Sequence, residues 1–361
     1  MIAPCMSTYP TLKPGVNYLI EHKVNRSEIY VGTATNGIKL SSHVAILFIE
    51  KCNGSNELQE IISEVGISGG QAIEILQPLL THNLISLYPN SVPQTEIEDL
   101  ATQISAARIK PELNTIAWRG TELGVIEVLN RADFPINILG SNRLAFALLE
   151  LFLATGYLSC KLVNESKGEI APSLVGATPF RVGDIGQPLL KIEERIARDY
   201  ALNVALLIRS KALRKPNSVE GSYEIRPVLT IKTNDFLPDQ ITDLMLDGRP
   251  HLQIGNLNSG KIEFGPLVIP GKTPCYNCIS LWKNERFAKF AISQKLKEPL
   301  EISAAGVTYL SGLIVSLVDN YFALGKSFLF GSSILANLLK PLEYTERFWQ
   351  PNPRCGCLEL L

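Results

Sequence analysis

The chain has 361 residues, 46% of them hydrophobic and 19% charged, with 34 basic and 35 acidic side chains and a formal net charge of -1. That length suits two or three domains with real cores, and the charge balance speaks against a nucleic-acid or polyanion partner, which calls for a basic excess. No run reaches the ~18–20 apolar residues of a membrane span. The longest candidate, Ala304 to Phe330, is interrupted by Ser311, Asp319 and Asn320 and reads as a buried or dimer-forming helix. The N-terminus shows no basic segment leading into an apolar core, so no signal peptide is expected and the protein is expected to be cytoplasmic.

Met1 to Asn90 reads as a small domain. Asn17–Glu21, Glu28–Thr33 and Gly37–Leu40 are short β-rich runs, the last following the turn signal Thr35-Asn36-Gly37. Helical spacing then takes over. Ser41 or Ser42 can cap a helix carrying Val44, Leu47 and Phe48, and Ser55 or Asn56 can open a second with Leu58, Ile61 and Ile62. Ser68 can cap a third with Ile73, Leu76, Leu79 and Leu80 on one face, closed by His82-Asn83, and Leu84–Tyr88 returns to strand. Three strands followed by three short helices describe a winged-helix-like module. Asn90–Thr95 is a polar, proline-containing linker, and Glu96–Ile109 a polar helix, so residues 91–113 are expected to join two domains.

From Asn114 to Leu361 the pattern is α/β. Strands are expected at Ile136–Leu139, Ser159–Val163, Val204–Leu207, Val228–Lys232 and His251–Ile254. Helices at Ser141–Thr155, Gln187–Tyr200 and Leu237–Leu246 alternate with them, which predicts a mostly parallel sheet covered on both faces. No internal repeat or low-complexity tract is present.

The seven cysteines are unevenly spread. Cys5, Cys52 and Cys160 are scattered and read as small buried residues. The others form Cys275-Tyr276-Asn277-Cys278 and Cys355-Gly356-Cys357. A C-x-x-C knuckle lets two thiolates converge on one ion, Pro274 stiffens its entry, and Gly356 allows the tight turn of the second pair. Together Cys275, Cys278, Cys355 and Cys357 make a closed tetrahedral set for a structural zinc that would close a long loop. A redox role for the C-x-x-C explains the second pair less well.

Gly140-Ser141-Asn142-Arg143-Leu144-Ala145, after the strand Ile136–Leu139, occupies the place of a dinucleotide-binding G-x-G-x-x-G turn. Gly140 supplies the first glycine and Ala145 can replace the third. Asn142 stands where the second glycine would let the backbone approach a phosphate. The acid expected at the end of the next strand is displaced, in Val163-Asn164-Glu165. Gly140, Asn142 and Arg143 therefore outline a degenerate nucleotide loop. His22, His43, His82 and His251 are dispersed and support no nucleophile–base pair. Arg131-Ala132-Asp133 and Glu193-Glu194-Arg195 read as solvated faces. Asp184, between two glycines, can cap the following helix or serve chemistry.

Several segments resemble one family. Phe264-Gly265-Pro266-Leu267-Val268, Pro270-Gly271-Lys272-Thr273-Pro274-Cys275, Cys278, Pro353-Arg354-Cys355-Gly356-Cys357, Gly176-Ala177-Thr178-Pro179-Phe180 and Val182-Gly183-Asp184-Ile185-Gly186 are similar to the ThiF-like partner proteins of thiazole/oxazole-modified peptide clusters, including microcins and bacteriocins. The N-terminal module resembles the PqqD-like recognition element of such proteins. The resemblance implies a leader-peptide-binding partner of a YcaO-type cyclodehydratase, with ATP used by that enzyme and not expected in this chain. It implies a leader strand added along Gly37, Ile38, Lys39 and Leu40 and lying on the helix Gln71–Leu80. Ile73, Leu76 and Leu80 would line its pockets unless those faces belong to the core. Pairing of ThiF-like bodies implies a homodimer. Adenylating relatives keep the full glycine loop and an aspartate after the second strand, which this chain lacks. The alternative is an ATP-dependent adenylating enzyme acting on a peptide or sulfur-carrier C-terminus, and a third reading is an architectural subunit with no peptide role.

Overall fold

A computed structural model describes residues 7–23, 26–88, 100–119, 125–163, 168–177, 179–200, 228–287 and 300–357. The expected strand Val204–Leu207, the acid at Glu165 and the linker Asn90–Thr95 lie outside them. The chain separates into two compact units, Met1–Leu129 and Asn130–Leu361. The first extends beyond the boundary expected near Asn90, because it includes the helix that starts at Leu100.

The first unit contains β1 (Tyr9–Leu12), β2 (Asn17–Lys23), β3 (Arg26–Gly32), β4 (Gly37–Leu40), α1 (His43–Lys51), α2 (Leu58–Val65), α3 (Gly69–Thr81), β5 (Ile85–Tyr88), α4 (Leu100–Ile116) and most of α5 (Val125–Ala132). β2, β3 and β4 form an antiparallel meander, while β1, which the sequence did not announce, pairs with β5. Ser42 caps α1 through the Ala45 N–H, and Ser68 and Gln71 form a reciprocal capping box on α3. α2 starts one residue later than expected, with Glu57 at the cap and Glu60 reaching back. Ile29 and Val31 of β3 alternate into the core, against Phe48, Ile61, Leu76 and Leu79. α1 buries Ala45, Ile46, Phe48 and Ile49, not the expected Val44 and Leu47. Val44 to Ile49 is apolar throughout, so spacing alone leaves the buried stripe undetermined.

The second unit holds β6 (Ile136–Leu139), α6 (Arg143–Ala154), β7 (Cys160–Leu162), α7 (Leu189–Asp199), β8 (Leu229–Thr233), α8 (Pro238–Leu246), β9 (His251–Ile254), β10 (Lys261–Val268), α9 (Tyr276–Phe287), α10 (Ala304–Leu324), β11 (Ser332–Asn337) and β12 (Tyr344–Phe348). Among the described residues, seven strands form one sheet in the order β12-β11-β10-β9-β8-β6-β7. The expectation of a mostly parallel sheet is corrected here. β7, β6, β8 and β9 run parallel, but β9, β10, β11 and β12 are antiparallel. The cause is local. Asn258 and Lys261 exchange backbone bonds of 2.8 and 2.9 Å across Ser259 and Gly260, both at positive φ. So tight a turn can only send the chain back antiparallel.

α10 packs against α6 and buries Val307, Leu310, Ile314 and Val318 in the main core. It is long and apolar enough to cross a membrane by composition, but that stripe is committed inside the unit. Its charge is also committed. Arg131 Nη2 donates to Asp319 Oδ2 at 2.8 Å, Tyr157 Oη donates to Asp319 Oδ1 at 2.6 Å, and Arg131 Nη1 donates to Thr155 O at 3.0 Å. Arg131, read from sequence as solvated, is only 1% exposed. Removing one partner of a buried pair strands the other's charge. Asp319→Ala is therefore expected to lower unfolding free energy by about 3–5 kcal/mol in urea titrations, and Arg131→Met with Asp319→Leu by clearly less. A single-variant loss below about 1 kcal/mol would contradict this account.

Candidate functional site

Three places in the structure can do chemistry or bind. The first is the free edge of β4. Thr33 N–H donates to Asn36 C=O at 2.7 Å. Bonded and non-bonded pairs alternate in an antiparallel ladder, so Ile38 and Leu40 bond inward to Val31 and Ile29. The backbone groups of Gly37 and Lys39 point away from the sheet. α3 lies beside β4, and Asn36 Nδ2 donates to His82 O at 2.8 Å, which ties the β3–β4 turn to the end of α3. Ile38, Leu40 and Leu80 are half-buried and pack on the same core, and Ile73 of α3 is half-buried. Leu76, the other expected pocket residue, is 1% exposed and belongs to the core. On α3 the buried stripe is Ala72, Ile75, Leu76 and Leu79, which turns Ile73 and Leu80 to its margins. On the other side of β4, Lys39 Nζ pairs with Glu28 at 2.8 Å and lies over the Tyr30 ring.

The second is the cysteine cluster. The four sulfurs of Cys275, Cys278, Cys355 and Cys357 lie within 4.8 Å of one another. Cys275–Cys355 is 3.5 Å, Cys278–Cys357 3.3 Å and Cys275–Cys278 4.0 Å. These are too long for a disulfide, ~2.05 Å. Sulfurs set tetrahedrally about an ion at ~2.3 Å stand about 3.8 Å apart, so the cluster is close enough to hold a metal ion. Hydrogen bonds from the Cys275 thiol and from the Asn352 N–H, the latter 3.2 Å long, favour the Cys278 thiolate and hold it down to about 5. Ordinary thiols such as Cys52 and Cys160 are instead pushed up by burial. Phe236, Met245, Val268 and Ile279 wall the cluster in a second core. Cys278→Ser is expected to abolish the one bound metal ion per chain read by elemental analysis. A wild-type chain that holds no stoichiometric metal would refute the metal reading.

His251 lies in the same region, fully buried and edge-on to Phe236 at 5.6 Å. Its Nδ1 bonds Arg249 O at 2.8 Å and its Nε2 meets no partner among the described residues. Burial holds its pKa down to about 4. The unfolded imidazole titrates near 6.5, so between these values the unfolded chain binds more protons. The stability conferred by neutral His251 is then full above about pH 6.5 and drains away by about pH 4, roughly 3 kcal/mol in all. His251→Phe should flatten that part of the stability–pH curve, and an unchanged slope in denaturation titrations would refute it.

The third is the glycine loop. β6 connects to β7 on one side and β8 lies on its other side, so the strand order reverses at the carboxyl ends of β6 and β8, the usual ligand position of such sheets. There a shallow, open recess is lined by Asn142, Thr233, Asn234, Asn256 and Ile302 among others. Gly140 has φ 150°, and a Cβ there would fall 2.0 Å from Thr233 Oγ1, so only glycine fits. Asn142 does not simply block the loop, because its Oδ1 caps α6 through the Ala145 N–H at 3.0 Å. Arg143 does not reach into the recess as a ligand would. Its guanidinium donates to the carbonyls of Val175 and Ile302.

Asp184, open from sequence, does not cap α7, which starts from Pro188. It accepts from Arg195 at 2.6 and 3.0 Å and from the Arg181 N–H at 2.7 Å, and the Arg195 guanidinium holds its carboxyl below the usual range. Arg195 is thus not a solvated face residue. Nor is Glu193, which accepts from the Leu162 N–H at 3.3 Å.

With this geometry in hand, the fold can be compared with solved structures. Escherichia coli MccB with succinimide superposes with a TM-score of 0.62 at 14% identity, over 97% of this chain and 99% of that one. The same protein with ATP gives 0.61 at 15%, over 96% and 99%. The chain has the fold of MccB. The microcin C7 biosynthetic enzyme MccB in complex with N-formylated MccA gives 0.59 at 13%, over 97% and 99%. The heterocyclase TruD gives 0.50 at 13%, over 97% of this chain but 43% of that one. No protein-family model matches the chain, and no curated protein matches it.

Proposed function

We propose that the chain captures a segment of a ribosomally made precursor peptide on its first unit and presents that peptide for modification by a partner cyclodehydratase of the YcaO type. The observation that carries this reading is the edge of β4 beside α3. Outward backbone groups at Gly37 and Lys39 offer main-chain hydrogen bonds to an added strand. The half-buried Ile38, Leu40, Ile73 and Leu80 offer apolar contact to its alternate side chains. A protein of the same fold has been solved with the peptide MccA. A heterocyclase shares this fold over 43% of its own length. Holding leader and enzyme together raises the local concentration of the reacting segment. In this reading the chain belongs with the ThiF-like proteins of modified-peptide biosynthesis, and its four thiolates hold a structural zinc, the ion best suited to a closed tetrahedral sulfur set.

A second reading is an adenylating enzyme of the ThiF type. It is favoured by the ATP-bound structure of MccB and by the recess at the sheet's switch point. Those observations remove the ground for excluding ATP from this chain. ATP–pyrophosphate exchange with the precursor peptide separates the two readings.

The binding test uses a fluorescent peptide encoded beside this chain's gene. Lys39→Pro deletes an outward N–H without touching the bonds to β3. It is expected to weaken binding about tenfold, the loss of ~1.4 kcal/mol, while Lys39→Ala changes it less than about twofold. Equal affinity for wild type and Lys39→Pro would remove the edge strand from the recognition surface.

A further inference from the structure

In a sheet of this kind the helix after the first parallel strand points its N-terminus at the ligand position, and the free N–H groups of its first turn are where a phosphate binds. That helix is α6. The N–H groups of Arg143, Leu144 and Ala145 precede the first intrahelical bond, which runs from Phe146 N–H to Asn142 C=O at 3.4 Å. Asn142 Oδ1 already accepts from Ala145 N–H at 3.0 Å.

A second acceptor comes from far along the chain. Leu300 and Ile302 line the recess together with Asn142 and Leu144. Arg143 Nη1 donates to Ile302 O at 3.3 Å, which lays this segment across the start of α6. Ser303 then caps α10 through Gly306 N–H at 3.2 Å and fixes the segment from its other end. Glu301 lies between the two lining residues. The residue as a whole is exposed, yet partial desolvation pushes its carboxyl up. A hydrogen bond from the Arg143 backbone N–H and the charge of the Arg143 guanidinium act the other way and favour the carboxylate.

A triphosphate does not fit this arrangement. Two of the three N–H groups are taken by acceptors of the chain itself, one of them a carboxylate. An incoming anion would have to displace those bonds and would meet like charge. Nor does the recess supply a cation: among the described residues its lining contains no Lys, Arg or His, and the Arg143 guanidinium is held by two carbonyls.

We propose that Glu301 is the resident anion of the α6 N-terminus, where its carboxylate takes the seat of a nucleotide phosphate and keeps phosphates out of this chain. The donors beneath it are intact. Arg143 carries a buried Nε with no partner among the described residues, and its backbone N–H is released once the carboxylate is removed. Glu301 therefore decides what the start of α6 accepts, and adenylation by this chain would require it to withdraw. This role does not depend on the peptide-binding reading, and its test contains no peptide.

The experiment titrates inorganic tripolyphosphate, and ATP beside it, into the full chain by calorimetry at fixed salt. Wild type is expected to show no saturable heat at about 1 mM ligand. Glu301→Gln keeps the shape and removes the charge, and Glu301→Ala removes the side chain. Both are expected to bind tripolyphosphate at least about tenfold more tightly than wild type. Adding Asn142→Asp to Glu301→Ala still caps α6 but returns a carboxylate to the helix start, so it is expected to cancel the gain. Wild-type binding as tight as that of the variants overturns the proposal, as does the absence of a gain in both. A gain that survives Asn142→Asp places the anion elsewhere and overturns it too. Should Glu301→Ala fail to fold, Glu301→Gln, an isosteric change at an exposed residue, decides, with its melting temperature as the check on folding.

Discussion

Four sulfurs drawn within 4.8 Å of one another are the constraint on which the second unit turns. Cys275 and Cys278 sit at the entry to α9, just after β10, while Cys355 and Cys357 follow β12 near the end of the chain. Bringing the pairs together closes a loop that contains α9, α10, β11 and β12. The closure is reinforced nearby by Trp282 Nε1 donating to Gln350 O at 2.8 Å and Trp349 Nε1 to Ser333 Oγ at 2.8 Å. All four can lose their protons together only with a cation between them, since four thiolates this close would repel. The antiparallel half of the sheet is anchored at one end by its strand ladders and at the other by a cluster of four cysteines close enough to hold a metal ion.

The binding features of the molecule occur where regular structure stops satisfying its own backbone. Among the described residues, β4 ends one sheet and β12 another, and each leaves a row of N–H and C=O groups without a strand partner. The recess lies where strand order reverses, between the carboxyl ends of β6 and β8. Elsewhere the chain takes care to pair its polar groups. Glu263, for example, accepts from Ser333 at 2.7 Å, Lys283 at 3.1 Å and Arg347 at 3.3 Å, and against the opposing effect of burial the two cations and the Ser333 hydroxyl hold its carboxyl below its usual range.

Much of the local structure was legible in the sequence. Ser42 and Ser68 cap the helices they were expected to cap, and the strands Ile136–Leu139, His251–Ile254 and Gly37–Leu40 stand where β-rich runs placed them. These are short-range events, in which a hydroxyl meets an N–H three residues on or a turn follows Asn-Gly. The cysteine spacing likewise foretold which four side chains would meet, because C-x-x-C and C-x-C are local geometries that need little besides each other. β10, β11 and β12 were missed, although Asn258-Ser259-Gly260 carried a hairpin signal that could have been used.

The sequence by itself determined element type and helix starts, since each rests on interactions within a few residues, and it singled out the clustered cysteines because each pair carries a ligand spacing of its own. Only the tertiary structure decided what Arg131 and Asp319 are for, because a charge in an apolar helix and a charge on an apparent surface helix become one buried pair across 188 residues. It alone decided that Leu76 is core while Ile73 and Leu80 lie at the margins of the buried stripe, a rotation that the packing of α3 on its neighbours sets. It also turned Asn142 from a missing glycine into a helix cap and Arg143 from a nucleotide ligand into a clasp on two carbonyls. Long-range partners carry no signature in local spacing, and the role of a polar side chain follows from the partner it meets.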